Sequence, residues 1–145
     1  MMRFVGRVAL RPESRARARA LQLLYAWESG GRPSLDTLLQ GVAGITRPDA
    51  TVLAEAAELA GGVIVRCDEL DTLFGDAAEH WRVDRLPVVD RNILRLGVYE
   101  LLQESAPPKV VIDEALWLAH RFGSPQSAAF VNGVLDAVAR SLGRL

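Results

Sequence analysis

The chain has 145 residues, of which 50% are hydrophobic and 24% are charged, a balance typical of one folded domain. This composition excludes an intrinsically disordered chain, and charged residues interrupt every apolar stretch well before the roughly 20 residues that a membrane span requires. The first ten residues lack the apolar region and cleavage pattern of a secretory signal. We therefore expect a cytoplasmic protein without a membrane segment.

The charge is distributed unevenly along the chain. Residues 1–24 contain six arginines and one glutamate, a net charge of +5, so the remaining residues must carry −6 to give the total of −1. A basic N-terminal segment on an acidic body indicates a partner that carries negative charge, such as a nucleic acid. A charged helix face that is simply solvated is the alternative interpretation.

Apolar residues recur at intervals of three and four along nearly the whole chain, which predicts an all-α fold. Glycines after Ser29 should end the first helix, Ser34 should cap the second, and Ser124 should cap the last. A capping box at residues 46–49 should open the third helix. The expected helices span residues 13–28, 34–40, 46–65, 68–81, 88–104, 110–122 and 125–142.

The helix expected at residues 88–104 has few polar positions, which indicates a central helix surrounded by others. The chain has no internal repeat, low-complexity segment or obvious linker. We therefore expect a single domain, residues 1–145, with about seven helices in two packed sub-bundles.

The first helix combines a buried face with a cationic one. At about 100° per residue, Arg15, Arg19 and Gln22 fall on one side, with Tyr25 beside them. Guanidinium groups bind phosphate and stack on bases, and an aromatic ring can carry an unstacked base. This side is therefore a candidate surface for single-stranded RNA. Arg17 projects elsewhere, between apolar residues, where its stem can lie along the protein surface.

The sequence offers no set of residues for catalysis or metal binding. Asp113 and Glu114 are neighbours that point about 100° apart on a helix, so they cannot face each other as acid and base. Cys67, His80 and His120 each lack the nearby cysteine or histidine that a metal site or a nucleophile would need. We expect no enzyme activity, no cofactor and no metal.

Four segments resemble one known family when they are taken together. They occur in that family's order and at its spacing, and they cover well over half of the chain. The segments are RARALQLLYAWE at 17–28, VDRNILRLGVYELL at 89–102, VVIDEALWLAHRFG at 110–123 and FVNGVLDAVAR at 130–140. The family that they resemble is that of the transcription antitermination proteins called NusB.

The resemblance implies a non-catalytic, all-helical protein with two roughly perpendicular bundles. It implies ribosomal protein ten of the small subunit, called NusE, as a partner, and the boxA element of ribosomal RNA leader transcripts as the ligand. It also implies assembly with other Nus factors and RNA polymerase, where such complexes suppress premature termination. Some members of the family are homodimers that cover the RNA surface, so the oligomeric state is left open.

The resemblance also implies roles for individual residues. The arginine-rich first helix is a principal RNA-contacting element of the family, and Phe130 matches a residue of the RNA surface, although it lies on an apolar stripe that favours the core. Asp90 matches an acidic position that faces NusE, although a first-turn residue favoured by the helix dipole explains it equally well. The expected RNA-binding residues are Arg15, Arg17, Arg19, Gln22, Tyr25 and Phe130, and the expected partner-binding residues are Asp90, Arg91, Arg95 and Glu100.

The chain departs from the family pattern at the start of the first motif. Glu13 and Ser14 stand where basic residues are common, so Arg3, Arg7 and Arg11 are expected to supply part of the basic cluster.

Two other functions fit the sequence: an accessory domain of a ribosomal RNA cytosine methyltransferase system, and a helical protein-interaction module or homodimer without RNA binding.

Overall fold

A computed structural model describes residues 11–45, 49–78 and 82–145, with the backbone alone at 42–45. The predictions for Arg3, Arg7, Thr46 and His80 lie outside the described residues. The described chain contains seven α-helices and no strand, as the periodicity predicts. The helices are α1 (Pro12–Ser29), α2 (Leu35–Ile45), α3 (Ala50–Val65), α4 (Cys67–Ala77), α5 (Val88–Gln103), α6 (Pro108–Phe122) and α7 (Ser127–Ser141), and a 3₁₀ turn (Val83–Arg85) precedes α5.

Side chains predicted as caps begin two of the helices. Asp49 is itself the N-cap of α3, where its carboxylate accepts hydrogen bonds from the backbone N–H groups of Thr51 and Val52. Ser34 caps α2 by accepting from the backbone N–H of Thr37 at 3.2 Å. The position of these side chains just before an apolar run is the usual signature of a helix start.

Several helix boundaries differ from the prediction. Helix α4 ends at Ala77, before the expected residue 81, and α6 begins at Pro108 and not at residue 110. Helix α2 continues through Gly41 and Gly44, because an isolated glycine in a helix costs only about 1 kcal/mol and does not force an end. Helix α7 begins at Ser127 and not at residue 125. Ser124 and Pro125 instead form a turn, which is closed by a hydrogen bond from the Ser127 N–H to the Ser124 carbonyl.

The helices form two groups that share α5. Helix α1 packs on α3 and α2, while α6 and α7 pack on each other and on α5, and α4 contacts α5 and α7. Helix α5 also touches α1 and α3, so it lies between the groups. Eleven of its sixteen residues are buried, as expected for a central helix.

One hydrophobic cluster runs through both groups and draws buried side chains from α1 and from α3 to α7. It includes Leu24 and Trp27 of α1, Phe74 of α4 and Leu135 of α7. None of the helices in the described part of the chain combines the length and the apolar character needed to cross a membrane.

Candidate nucleic-acid interface

Helix α1 presents one polar face to solvent, which we call the α1 ridge and define as Arg15, Arg19, Gln22 and Tyr25. The intervals of four, three and three residues place these side chains on one side of the helix. Arg15 and Gln22 are exposed, Arg19 is partly exposed, and 48% of Tyr25 is exposed. The opposite side, with Ala20, is buried in the hydrophobic cluster, so the ridge is held on a packed helix.

The two arginines of the α1 ridge carry positive charge that no described carboxylate neutralises. Arg19 Nη1 donates a 2.9 Å hydrogen bond to the side-chain oxygen of Gln22, and no ion pair of either arginine occurs among the described residues. The Gln22 amide therefore orients one guanidinium group without cancelling its charge. Tyr25, one turn from Gln22, adds an exposed aromatic ring of the kind on which an unpaired base can stack.

Arg17 does not belong to this exposed face, and its expected place on the RNA surface requires a correction. Only 8% of the residue is exposed. Its Nε donates to both carboxylate oxygens of Glu100 (3.1 and 2.9 Å), its Nη2 donates to Glu100 Oε1 at 2.8 Å, and its Nη1 lies 3.3 Å from Glu114 Oε1. All three guanidinium nitrogens therefore face carboxylates of α5 and α6.

The charge state of Arg17 follows from these partners. Burial by itself lowers the pKa of the guanidinium, but the hydrogen bond and the negative charge of Glu100, with a contribution from Glu114, outweigh burial and raise the pKa. Glu114 also accepts a 2.8 Å hydrogen bond from the Ser14 hydroxyl and pairs with the exposed Arg11 at 3.4 Å. Arg17 is therefore a permanently charged internal residue.

A second charged cluster joins the other end of α1 to α5. Arg91 Nη2 lies 3.1 Å from Glu28 Oε2, and Arg95 Nη1 and Asn92 Nδ2 both donate to Glu28 Oε1 at 3.0 Å. Burial raises the pKa of Glu28, but the hydrogen bonds and charges of these α5 side chains outweigh burial and lower the pKa. Arg95 also makes two hydrogen bonds with Asp71 of α4, at 2.7 and 2.8 Å.

The four residues expected to bind a partner are all buried in this structure, so none of them presents an exposed side chain to a partner. Asp90 is 7% exposed and accepts a 2.7 Å hydrogen bond from the Ser127 hydroxyl of α7. Arg91 donates to the backbone carbonyls of Val83 and Leu86 as well as to Glu28. Arg95 and Glu100 pair with other helices as described above, so all four side chains fasten α5 to its neighbours.

Sequence reasoning missed Glu28, Asp71, Asn92 and Ser127 as members of these clusters. The signal in the sequence that could have found them is the position of the polar residues 90–92, 95 and 100 on a helix that has almost no polar, solvent-exposed face. Polar groups buried there must find partners, because an unpaired buried charge costs several kcal/mol. In the described residues, no buried side-chain nitrogen or oxygen lacks a hydrogen-bond partner.

Phe130 serves both interpretations offered for it. The side chain is partly buried and packs against the hydrophobic cluster. It also lines a small surface cavity of about 210 Å³, together with Leu86, Pro87, Asp90, Ser124 and Gln126. Phe130 is therefore partly accessible from outside the protein and also contributes to packing.

The fold and sequence match known proteins over most of the chain. The model of the NusB family matches residues 14–140. A curated relative from Solibacter usitatus, named transcription antitermination protein NusB, is 42% identical over 131 residues, which are 88% of each chain.

Solved structures of the same shape include proteins bound to RNA. NusB of T. maritima superposes with a TM-score of 0.80 at 34% identity and covers 91% of this chain and 93% of its own. A structure described as antitermination factors NusB and NusE in complex with dsRNA superposes with a TM-score of 0.77 at 29% identity, over 92% of this chain and 99% of that one. On the sequence and the fold together, the chain belongs to the NusB family.

Proposed function

We propose that the protein is a transcription antitermination factor that binds boxA RNA of ribosomal RNA transcripts together with NusE. The observation that carries this proposal is the α1 ridge, where Arg15 and Arg19 stay free of described carboxylates while the other described arginine of this helix, Arg17, is ion-paired internally. Family membership supports the proposal independently, because curated relatives bear the name of the antitermination protein.

The α1 ridge supplies the two kinds of contact that a single RNA strand needs. The guanidinium groups of Arg15 and Arg19 bind backbone phosphates, and each contact releases condensed counterions. Tyr25 stacks on a base, and the Gln22 amide, which already orients Arg19, can donate to a base edge or a ribose. Phe130, which lines the 210 Å³ cavity, is the residue of α7 that we propose contacts the RNA. No step of this function requires a catalytic residue.

The partner proposal rests on a solved relative and on charge. The structurally similar NusB described in complex with NusE and dsRNA shows that a chain of this shape can hold both. The chain outside residues 1–24 carries a net charge of −6, which suits a basic ribosomal protein. Because the side chains of Asp90, Arg91, Arg95 and Glu100 are buried, we propose that they hold α5 in position for partner binding and do not contact the partner themselves. Other Nus factors and RNA polymerase are proposed to join through this assembly.

A gel-shift titration with labelled boxA RNA tests the proposal. We expect a shift with the protein alone, a tighter shift with NusE present, and weak binding of a scrambled single strand and of a duplex of the same length. Equal affinity for boxA and scrambled RNA, with and without NusE, would contradict it.

Light scattering on the same samples tests the alternative of a homodimer that covers the α1 ridge. We expect each RNA complex to contain one copy of the protein and one copy of NusE. A dimer that persists at saturating RNA would favour the protein-interaction module. Binding of S-adenosylmethionine by the isolated chain, measured by calorimetry, would favour the methyltransferase accessory domain.

A further inference from the structure

Helix α1 is fastened to α5 by two charge clusters of opposite polarity. Near its N-terminal end the base lies on α1 and the acid on α5, as Arg17 with Glu100. Near its C-terminal end the acid lies on α1 and the base on α5, as Glu28 with Arg91 and Arg95. Since the partner numbers fall along α5 as they rise along α1, the two helices run antiparallel.

We propose that Arg17 is a positioning residue for the α1 ridge and does not contact RNA. The inference rests on the proposed function, because it assigns Arg17 a role in RNA binding that acts through Arg15 and Arg19. We call the ion pairs of Arg17 with Glu100 and Glu114 the Arg17 clamp. In this role the Arg17 clamp fixes the register and rotation of α1 on α5, and the two flanking arginines, Arg15 and Arg19, point outward as a result.

Arg17 is buried, and carboxylates of Glu100 and Glu114 face all three of its guanidinium nitrogens. Its Nε and Nη2 are within 3.1 Å of Glu100 oxygens, and its Nη1 is 3.3 Å from Glu114. The Glu100 side chain is only 5% exposed. A phosphate that displaced Glu100 would leave a buried carboxylate without its partner, which is among the most unfavourable changes inside a protein. Phosphate binding at Arg15 and Arg19 is therefore more favourable, because no carboxylate has to be displaced from either arginine.

The position of the clamp makes the register of α1 specific. One helical turn from Glu100, toward the start of α5, the residues are Leu96 and Gly97, which are apolar and buried. A one-turn slide of α1 in that direction would put Arg17 against them and would move Glu28 away from Arg95, which would keep only Asp71 as a partner. The N-terminal end of α1 would then hold an unpaired buried charge, so charge pairing opposes this change of register.

A charge exchange separates positioning from contact. Every protein in this comparison carries Glu114→Gln, so that Glu100 is the carboxylate left facing position 17. The variants on this parent are Arg17→Glu, Glu100→Arg and the double exchange Arg17→Glu/Glu100→Arg, with Arg15→Glu and Arg15→Glu/Glu100→Arg as matched controls. Each is titrated with labelled boxA RNA in the presence of NusE at several salt concentrations. Circular dichroism establishes that each variant is folded.

A positioning role predicts rescue. Arg17→Glu should weaken RNA binding by roughly tenfold or more, and the double exchange should restore it to within about threefold of the Glu114→Gln parent with the same dependence on salt. Arg15→Glu should stay weak with or without Glu100→Arg. If Arg17 contacts RNA, the double exchange stays weak and its slope of log K against log salt falls by about one phosphate contact. That result would overturn the inference.

A neutral pair gives a second test if the exchanged pair does not fold. Arg17→Met/Glu100→Leu replaces the buried ions by apolar groups, a change that often leaves a fold intact. The inference expects an unchanged salt slope in this variant, and a lower slope would contradict it. If the unmodified protein fails to bind boxA RNA at all, the proposed function fails, which is distinct from a failure of rescue.

Discussion

The Ser127 hydroxyl of α7 donates a 2.7 Å hydrogen bond to the Asp90 carboxylate of α5, and thereby joins the first turns of the two helices. The same hydroxyl oxygen accepts from the backbone N–H of Ser124 at 2.9 Å. Asp90 is thus an internal acceptor, and one serine side chain organises both the start of α7 and its contact with α5.

Replacing Ser127 by alanine is expected to destabilise the fold. The change leaves the buried Asp90 carboxylate without its donor, and such losses cost about 1–3 kcal/mol. Urea unfolding of Ser127→Ala measures this loss, with the exposed Ser105→Ala as the control that should change the free energy of unfolding by less than about 0.5 kcal/mol. Equal stability of the two variants would show that Asp90 does not depend on Ser127.

The helices could be predicted from the sequence because their signals are local. Apolar residues three and four apart, a capping Asp49 or Ser34, and glycine after Ser29 act within one or two turns. The burial of Arg91 and Arg95 could not be predicted in the same way. It depends on Glu28, more than 60 residues earlier in the chain, and on Asp71 of α4. Charged residues are buried only where distant helices supply partners, and periodicity does not encode that pairing.

Glu28 is expected to make the stability of the protein depend on pH in the acid range. Its pKa is lowered in the folded state, so its contribution is fully present above the ordinary glutamate pKa, near 4.3, and is lost as the pH falls through the lower folded value. Glu28→Gln should cost about 3 kcal/mol at pH 7, because Arg91 loses its carboxylate partner.

Unfolding of Glu28→Gln and the unmodified protein from pH 7 to pH 3 measures this contribution. The difference in the free energy of unfolding should shrink below about pH 4.3. Glu55→Gln, on the exposed face of α3, is the control and should show no such convergence. A constant difference across the whole pH range would contradict the role of Glu28.

The arginines of the α1 ridge are expected to set the salt dependence of RNA binding. Arg15→Ala and Arg19→Ala should each weaken boxA binding and lower the slope of log K against log salt by about one, because each removes one phosphate contact. Arg66→Ala is the control, since Arg66 lies at the end of α3 and pairs with Glu69. Fluorescence anisotropy between about 50 and 200 mM salt gives the slopes. A slope that changes only with Arg66→Ala would place the RNA elsewhere.

Tyr25 is expected to contribute through stacking and not through charge. Tyr25→Ala should weaken RNA binding by about 1–3 kcal/mol and leave the salt slope unchanged, whereas Tyr25→Phe should keep most of the affinity. Because 48% of Tyr25 is exposed, the fold should tolerate both changes. If phenylalanine is as harmful as alanine, the hydroxyl and not the ring makes the contact.

The exposed part of the candidate site could be predicted from helix geometry alone. Arg15, Arg19 and Gln22 fall on one side at 100° per residue, and the structure leaves that side open. The same geometry separates Arg17 from its neighbours, because two residues correspond to about 200°. A single straight helix cannot present Arg15, Arg17 and Arg19 together. The ion-pair partners of Arg17 could not be predicted, because Glu100 and Glu114 belong to helices far along the chain.

The most direct test of the α1 ridge is an NMR titration of the ¹⁵N-labelled protein with unlabelled boxA RNA. Perturbation of amide signals should concentrate on the exposed side of α1, from Arg15 to Tyr25, and on the start of α7 around Phe130. Amide signals of the exposed face of α3, such as Glu58, should stay in place as the internal reference. Shifts confined to α3 or α6, with the α1 signals unmoved at saturation, would contradict the assignment of RNA binding to the α1 ridge.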